Sequence, residues 1–273
     1  MPIAKLYIEG NIESEILNPI LQGSPVLQQG GSKNTLRPRA RTDRQENRIA
    51  AGYLRDRDFD FDPPVDLLTP TEDAKEGDIP FGWRWCRHEI ENYLLEPALV
   101  SEAMGWPDNE IETAIHQAAT NIRSYEAARW TVGVVRRALP PQYELATRPD
   151  GLNEIALPAG LDRITVENWA VDNIRTHRER IVSATDPHQV KEIFDDFLVR
   201  FDEEFLSDAA KILLWFSGKD ILAGMADWFK AKAIGNVGLF RANIRDWIIT
   251  NPERTLELLP EWANLRKTLR SGN

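Results

Sequence analysis

The first hundred positions alternate between short apolar runs and apolar residues at helical spacing. Lys5–Glu9 (KLYIE) is a β-rich run ending at Gly10, and a helical pattern extends from about Glu13 to Leu21. Pro25–Gln29 is a second apolar run, closed by the turn signal Gly30-Gly31. Arg48–Arg55, carrying Ile49, Ala51, Tyr53 and Leu54, predicts a third strand, which leads into an aspartate-rich loop stopped by Pro63-Pro64. Phe81–Cys86 is a fourth strand candidate, and Ile90–Leu95 begins a helix that Pro97 interrupts or restarts. Strands and helices alternating at this spacing predict an α/β fold over residues 1–97, with a mostly parallel sheet and helices on its faces.

Beyond Pro97 the texture becomes helical, so residues 98–273 are expected to form a mainly helical region. Glu110–Leu139 is a long amphipathic stretch broken by Pro140-Pro141, and Val166–Ala184 and Gln189–Leu206 follow. In the last of these, Ile193, Phe197, Phe201 and Phe205 recur every four residues and read as a core stripe. Ala209–Phe216, Asp220–Ala233 and Leu239–Thr250 are further helices, with Pro252 where the last should stop. Thr147–Arg163, holding Pro149, Gly151, Pro158 and Gly160, reads as a linker.

Twenty-four aromatic residues (nine Trp, five Tyr and ten Phe) among 273 can bury a sizeable core and exclude a wholly disordered chain. Ile212–Phe216 is typical of the longest apolar runs, far short of the roughly 20 residues of a membrane span. No basic segment followed by an apolar one opens the sequence, and Cys86 is the single cysteine, so a reducing cytoplasm is the expected location. The net charge of −10 makes the whole chain a poor non-specific binder of nucleic acid. Its distribution is uneven. Lys33, Arg37, Arg39, Arg41, Arg44 and Arg48 crowd one segment against Asp43 and Glu46, while Asp195–Asp208 is strongly acidic.

Carboxylates at strand ends are the sharpest chemical feature. Glu9 ends the first strand, Glu13 lies four residues on, and Asp56 and Asp58 end the third. Open parallel sheets place their sites along the edge formed by the carboxyl ends of the strands. If the chain stays extended, Asp56 and Asp58 point to the same side. Gathered carboxylates repel one another unless a cation holds them, and oxygen-only ligands suit Mg²⁺ or Mn²⁺. The same residues admit a plainer reading, in which Asp56, Asp58, Asp60 and Asp62 form a solvated turn and Glu9 and Glu13 flank a helix start.

Other motifs fail on inspection. Counting from Asp56, the sixth and twelfth places of a calcium loop hold Phe61 and Leu67 rather than Gly and Glu. His88-Glu89-Ile90-Glu91-Asn92 begins like a zinc-protease motif but ends in Asn92, and Gly218-Lys219 lacks the rest of a phosphate loop.

Four segments in order resemble the TOPRIM family. Leu6-Tyr7-Ile8-Glu9-Gly10-Asn11-Ile12-Glu13 is similar to its first motif, and Tyr53–Asp60 (YLRDRDFD) to its aspartate pair. His88–Leu95 (HEIENYLL) resembles a segment of TOPRIM proteins related to the OLD nucleases, and Phe216–Leu222 (FSGKDIL) a late lysine motif. The closest resemblance is to AriB-type effectors of the PARIS anti-phage system.

The resemblance implies a TOPRIM, Rossmann-like core and a helical region whose residues 209–225 return the lysine motif to the active site. It implies a metal-dependent endonuclease, cutting tRNA or DNA as a toxic effector of bacterial antiviral defence. Glu9 is then a metal ligand or general base, Glu13 a second-metal ligand, and Asp56 and Asp58 ligands of the principal Mg²⁺ or Mn²⁺ of a two-ion site. Glu91 completes the acidic set, and Lys219 stabilises charge on the cleaved phosphate. Asp60 could replace Asp56 or Asp58 as a ligand by a two-residue shift. The plainer readings are a solvated helix-start lysine for Lys219, a surface residue in a helix's first turn for Glu91, and a structural residue for His88, which is otherwise a phosphate contact or a ligand's support. The basic residues Lys33, Arg37, Arg39, Arg41 and Arg44 are expected on a loop that holds nucleic-acid phosphates, or else on a merely solvated one. An ABC-type ATPase partner is implied as regulator, homo-oligomers are open, and no membrane association is expected. The alternative is a non-catalytic TOPRIM-like regulatory module.

Overall fold

The computed structural model describes residues 2–141, 145 and 162–271. The expected linker Thr147–Arg163 lies outside the described residues, apart from Asp162, which caps the following helix, and Arg163, which begins it.

Four strands run parallel: β1 (Lys5–Ile8), β2 (Val26–Gln29), β3 (Ala51–Arg55) and, after an antiparallel edge strand β4 (Thr71–Glu76), β5 (Ile79–Arg84). Their order is β2-β1-β3-β5-β4, so the ends of β1 and β3 meet at the centre of the sheet. The fold is α/β and Rossmann-like in its mostly parallel sheet. Register pairs Tyr7 with Tyr53 and Tyr53 with Gly82. At Gly82 a Cβ would lie 2.3 Å from the Tyr53 ring, so only glycine lets that ring lie across β5.

The helices are α1 (Asn11–Leu21), α2 (Lys33–Gln45), α3 (Glu91–Leu94), α4 (Pro97–Met104), α5 (Asp108–Ala138), α6 (Arg163–Ala184) and α7 (Pro187–Arg200). They continue with α8 (Glu203–Leu206), α9 (Ala209–Trp215), α10 (Gly218–Gly224), α11 (Ala226–Ala231), α12 (Val237–Thr250), α13 (Pro252–Leu258) and α14 (Pro260–Ser271).

The basic segment expected as a loop is the helix α2. Leu36, Ala40 and Asp43 recur at i, i+4 and i+7 on its buried face, and Leu36 and Ala40 pack on Tyr7, Ala51, Tyr53 and Phe81 of the sheet. Buried Asp43 fixes the helix to β1 by accepting from the Lys5 ammonium at 2.7 Å and the Tyr7 hydroxyl at 2.8 Å. α12 ends at Thr250, as expected from Pro252, and the same proline opens α13, where its missing N–H costs nothing. Asp220–Ala233 divides into α10 and α11, and the 193–205 stripe breaks after Arg200.

Met1–Glu126 with Phe201–Asn273 form one compact unit, and Ala127–Arg200 a second. In this division the C-terminal helices group with the sheet. Glu261 of α14 accepts the Cys86 N–H at 2.8 Å and the Tyr93 hydroxyl, beneath a cluster of Trp85, Tyr93 and Trp262. In the second unit, Trp130 stacks on Phe197 with centroids 5.6 Å apart, and α6 buries none of its side chains. No helix among the described residues is long and apolar enough to cross a membrane.

Candidate metal centre

The carboxyl ends of β1 and β3 bring Glu9 to Asp56, whose backbone N–H donates to Glu9 Oε1 at 3.1 Å. Glu13, in the first turn of α1, turns back to accept the Gly10 N–H at 2.8 Å and is buried by that packing. Its other oxygen, Oε1, and Asp56 Oδ1 are buried without a hydrogen-bond partner, and Glu9, Glu13 and Asp56 form no ion pair among the described residues.

The electrostatics follow from that crowding. Burial pushes the Glu13 carboxyl up to about 7, with the charges of Glu9 and Glu91 adding to the effect. Burial, then Glu13 and Glu9, raise Asp56 well above the usual carboxylate range. Burial also raises Glu9, against the hydrogen bond from Asp56 and with the help of Asp58. A bound cation would reverse all three tendencies, and the oxygen donors with two unsatisfied buried lone-pair sites fit a hard divalent ion.

Asp58 is placed differently. The strand ends at Arg55, and Asp58 opens a single 3₁₀ turn, Asp58–Asp60, with a left-handed φ of 49°. The extended geometry expected to align Asp56 with Asp58 is therefore absent: Asp56 turns into the interior, while Asp58 stands half-buried at the rim. Arg57 between them is fully buried and anchors the turn, donating to the carbonyls of Cys86 at 3.0 Å, Phe61 at 2.6 Å and Leu214 at 2.5 Å. Lys33 at the start of α2 donates to Asp58 and Asp60, both at 2.6 Å, and Arg55 to Asp60 at 2.7 Å. Asp60 is thus held by two cations.

Asp58, His88 and Glu89 offer ligand atoms that all lie within 4.8 Å of one another, a group that can hold a metal ion. The Asp58 N–H donates to the His88 carbonyl at 2.9 Å, and the His88 ring meets Phe59 edge-on with centroids 4.2 Å apart. Imidazole beside two carboxylates extends the suitable ions from Mg²⁺ toward Mn²⁺ and other transition metals.

The lysine motif returns to this edge. Ser217 caps α10 and donates to Glu89 Oε1 at 2.7 Å, and the Lys219 N–H donates to the same oxygen at 2.8 Å. The Lys219 ammonium pairs with Glu89 Oε2 and lies 3.6 Å from Glu91 Oε2. Burial works against that charge, yet Glu89 and Glu91 hold Lys219 protonated above its ordinary range. Asn92 locks the arrangement by donating to the carbonyls of Leu213 at 2.9 Å and Phe216 at 2.8 Å. α10 comes so close to α3 that a Cβ on Gly218 would lie 2.5 Å from the Asn92 nitrogen. Glu91 is buried, raised by that burial, and paired with Arg241 of α12 at 3.2 Å.

Of the expected basic residues, Lys33 reaches the acidic rim. Arg37 and Arg41 project from the same flank of α2, as does Arg44, which is committed to Glu76 at 2.8 Å. Arg39 lies on the other flank, off both pockets that border this helix. Sequence reasoning missed Glu89 and Arg241. Glu89 stood in the quoted HEIEN motif, two residues before the glutamate chosen, whereas nothing in the sequence marks Arg241.

No protein-family model and no curated protein matches this chain.

Proposed function

We propose that this protein is a TOPRIM-type, divalent-metal-dependent endonuclease, akin to the OLD-related AriB effectors of PARIS defence. The observation that carries the reading is the crowded group of half-buried Glu9 and buried Glu13 and Asp56, with Glu13 Oε1 and Asp56 Oδ1 lacking a hydrogen-bond partner, beside Asp58, His88 and Glu89. Such a concentration of carboxylates is costly without cations, and strand-end placement is where α/β folds do chemistry. Mg²⁺ or Mn²⁺, when bound, supplies positive charge against the charge that develops on the phosphate oxygens during hydrolysis.

Glu9, Asp56 and Asp58 would hold the principal ion, with Glu13 toward a second and Glu91 completing the acidic set. Glu9, its carboxyl raised by burial, is also suited to take a proton from the attacking water. Lys219, kept protonated by Glu89 and Glu91, adds a fixed positive charge at the same edge. The substrate is tRNA or DNA, the setting is the bacterial cytoplasm, and an ABC-type ATPase partner governs activity.

One observation favours a second reading. Lys33 on Asp58 and Lys219 on Glu89 already neutralise part of the cluster, as a non-catalytic regulatory module would need. Incubating the purified protein with total tRNA and plasmid DNA, in Mg²⁺, Mn²⁺ or EDTA, separates the two. Metal-dependent cuts that vanish in Glu9→Ala support the nuclease. Retained cleavage by both Glu9→Ala and Asp56→Ala would remove it, and size-exclusion chromatography with the product of the neighbouring gene tests the partner.

A further inference from the structure

The rim of the acidic cluster opens onto two concavities that no part of the catalytic reading uses. The first, about 400 Å³, is walled by Lys33, Arg37, Arg55 and Arg84 against a single carboxylate, Asp73. The second, about 280 Å³, is walled by Arg37, Arg41, Arg44 and Lys75 against Glu76. Arg37 lines both, so they adjoin along one flank of α2. This excess of positive charge is concentrated in a chain whose net charge is −10.

Most of these cations have partners: Lys33 and Arg55 hold Asp60, Arg84 holds Asp73, and Arg44 holds Glu76. Arg37 and Arg41 are exposed and form no hydrogen bond or ion pair among the described residues. Two uncommitted guanidiniums on one face of a helix, above rows of neutralised acids, are placed to meet an anion from outside. The wall also carries aromatic surface: the Arg84 guanidinium lies 3.9 Å from the Phe61 ring centroid, presenting a flat cationic face to the first concavity.

We infer that these concavities form one trench for a single nucleic-acid strand, running from the acidic cluster along α2. The inference rests on the nuclease reading for its direction. From Lys33 to Arg41 the helix rises about 12 Å, which spans about three to four phosphates of a stacked strand. Lys33, bonded to Asp58, marks the end at the cluster, so the strand is held on one side of the cut only. Volumes of about 280 and 400 Å³ are on the scale of single nucleotides rather than of a duplex segment. Charged walls with aromatic and guanidinium faces are the usual means of holding a strand without reading its sequence.

Fluorescence anisotropy of fluorescein-labelled oligothymidylates, titrated across salt in EDTA, tests the trench without cleavage. The octanucleotide should bind with an affinity that falls steeply with salt, and the dinucleotide much more weakly. Arg37→Ala combined with Arg41→Ala should flatten the logarithmic salt slope by about 1.4, from about 0.7 per lost contact, and weaken low-salt binding at least tenfold. Both arginines are exposed and form no hydrogen bond or ion pair among the described residues, and the double Arg→Lys variant should keep the slope, which separates lost charge from lost fold. Arg39→Ala should leave the slope as in wild type.

An unchanged slope in the double alanine variant, equal binding of dinucleotide and octanucleotide, or tighter binding of the matching duplex would overturn the trench. Failure of the nuclease reading shows elsewhere. Slope-dependent binding without metal-dependent cleavage leaves the trench standing, and cleavage indifferent to Arg37 and Arg41 removes the trench alone.

Discussion

Two halves of one acidic edge use the same residue types under opposite electrostatic conditions. At the centre of the sheet, Glu9, Glu13 and Asp56 are buried or half-buried among one another and form no direct ion pair among the described residues. At the rim, Asp58 and Asp60 are also half-buried but rest on Lys33 and Arg55. Burial and mutual charge raise the inner carboxyls, whereas the rim carboxylates are paired with cations. Carboxylate content alone therefore does not define the site. What sets the inner carboxylates apart is that the fold gives them no direct ion pair among the described residues.

The comparison is broken most severely by removing the inner acids. Asp56→Asn should lower cleavage by about 10³-fold or more while raising the melting temperature of the metal-free protein, because a buried charge without a partner is deleted. A fall in both activity and melting temperature would mean that Asp56 is structural. Gly218→Ala should act on the opposite wall: its Cβ meets the Asn92 backbone, costing about 1–3 kcal/mol and displacing Lys219 from Glu89. Thermal unfolding measures the first effect and cleavage rate the second.

Acidity sharpens the same contrast. Glu13 titrates near 7 in the folded chain against about 4.5 when unfolded, so between those values the folded state binds the extra proton. Stability of the metal-free protein should then be greatest below about pH 4.5 as far as Glu13 is concerned, and decline as pH rises toward 7. Millimolar Mg²⁺ should remove most of that decline, as followed by melting temperature in EDTA and in Mg²⁺. The smallest effect is expected at the rim, where Lys33→Met should cost about 1 kcal/mol or less by chemical denaturation, since the pair is partly solvated.

The sequence made the strands legible where apolar runs met glycine punctuation, as at Lys5–Glu9 and Pro25–Gln29. It concealed β4, whose TEDAKE buries only Ala74 at a sheet edge and so lacks an apolar alternation. It concealed α2 for a related reason: Leu36 and Ala40 are its buried apolar residues, and the Gly30-Gly31 turn signal with the run of basic residues suggested a loop. The acids Glu9, Glu13 and Asp56 could be named from their positions at strand ends. Their counter-charges could not, because Lys33 meets Asp58 and Arg241 meets Glu91 across 25 and 150 residues of chain. Pairing of that kind is set by how helices seat on the sheet, which local spacing does not encode.

Titrating metal-free protein with Mn²⁺ by calorimetry, in wild type and in Asp56→Asn, tests the central claim most directly. Saturable binding to the wild type, weakened at least tenfold in Asp56→Asn and not weakened in Lys33→Met, is the predicted result. Wild-type and Asp56→Asn isotherms that coincide, or no binding at all, would contradict the assignment of the buried acids to a divalent cation.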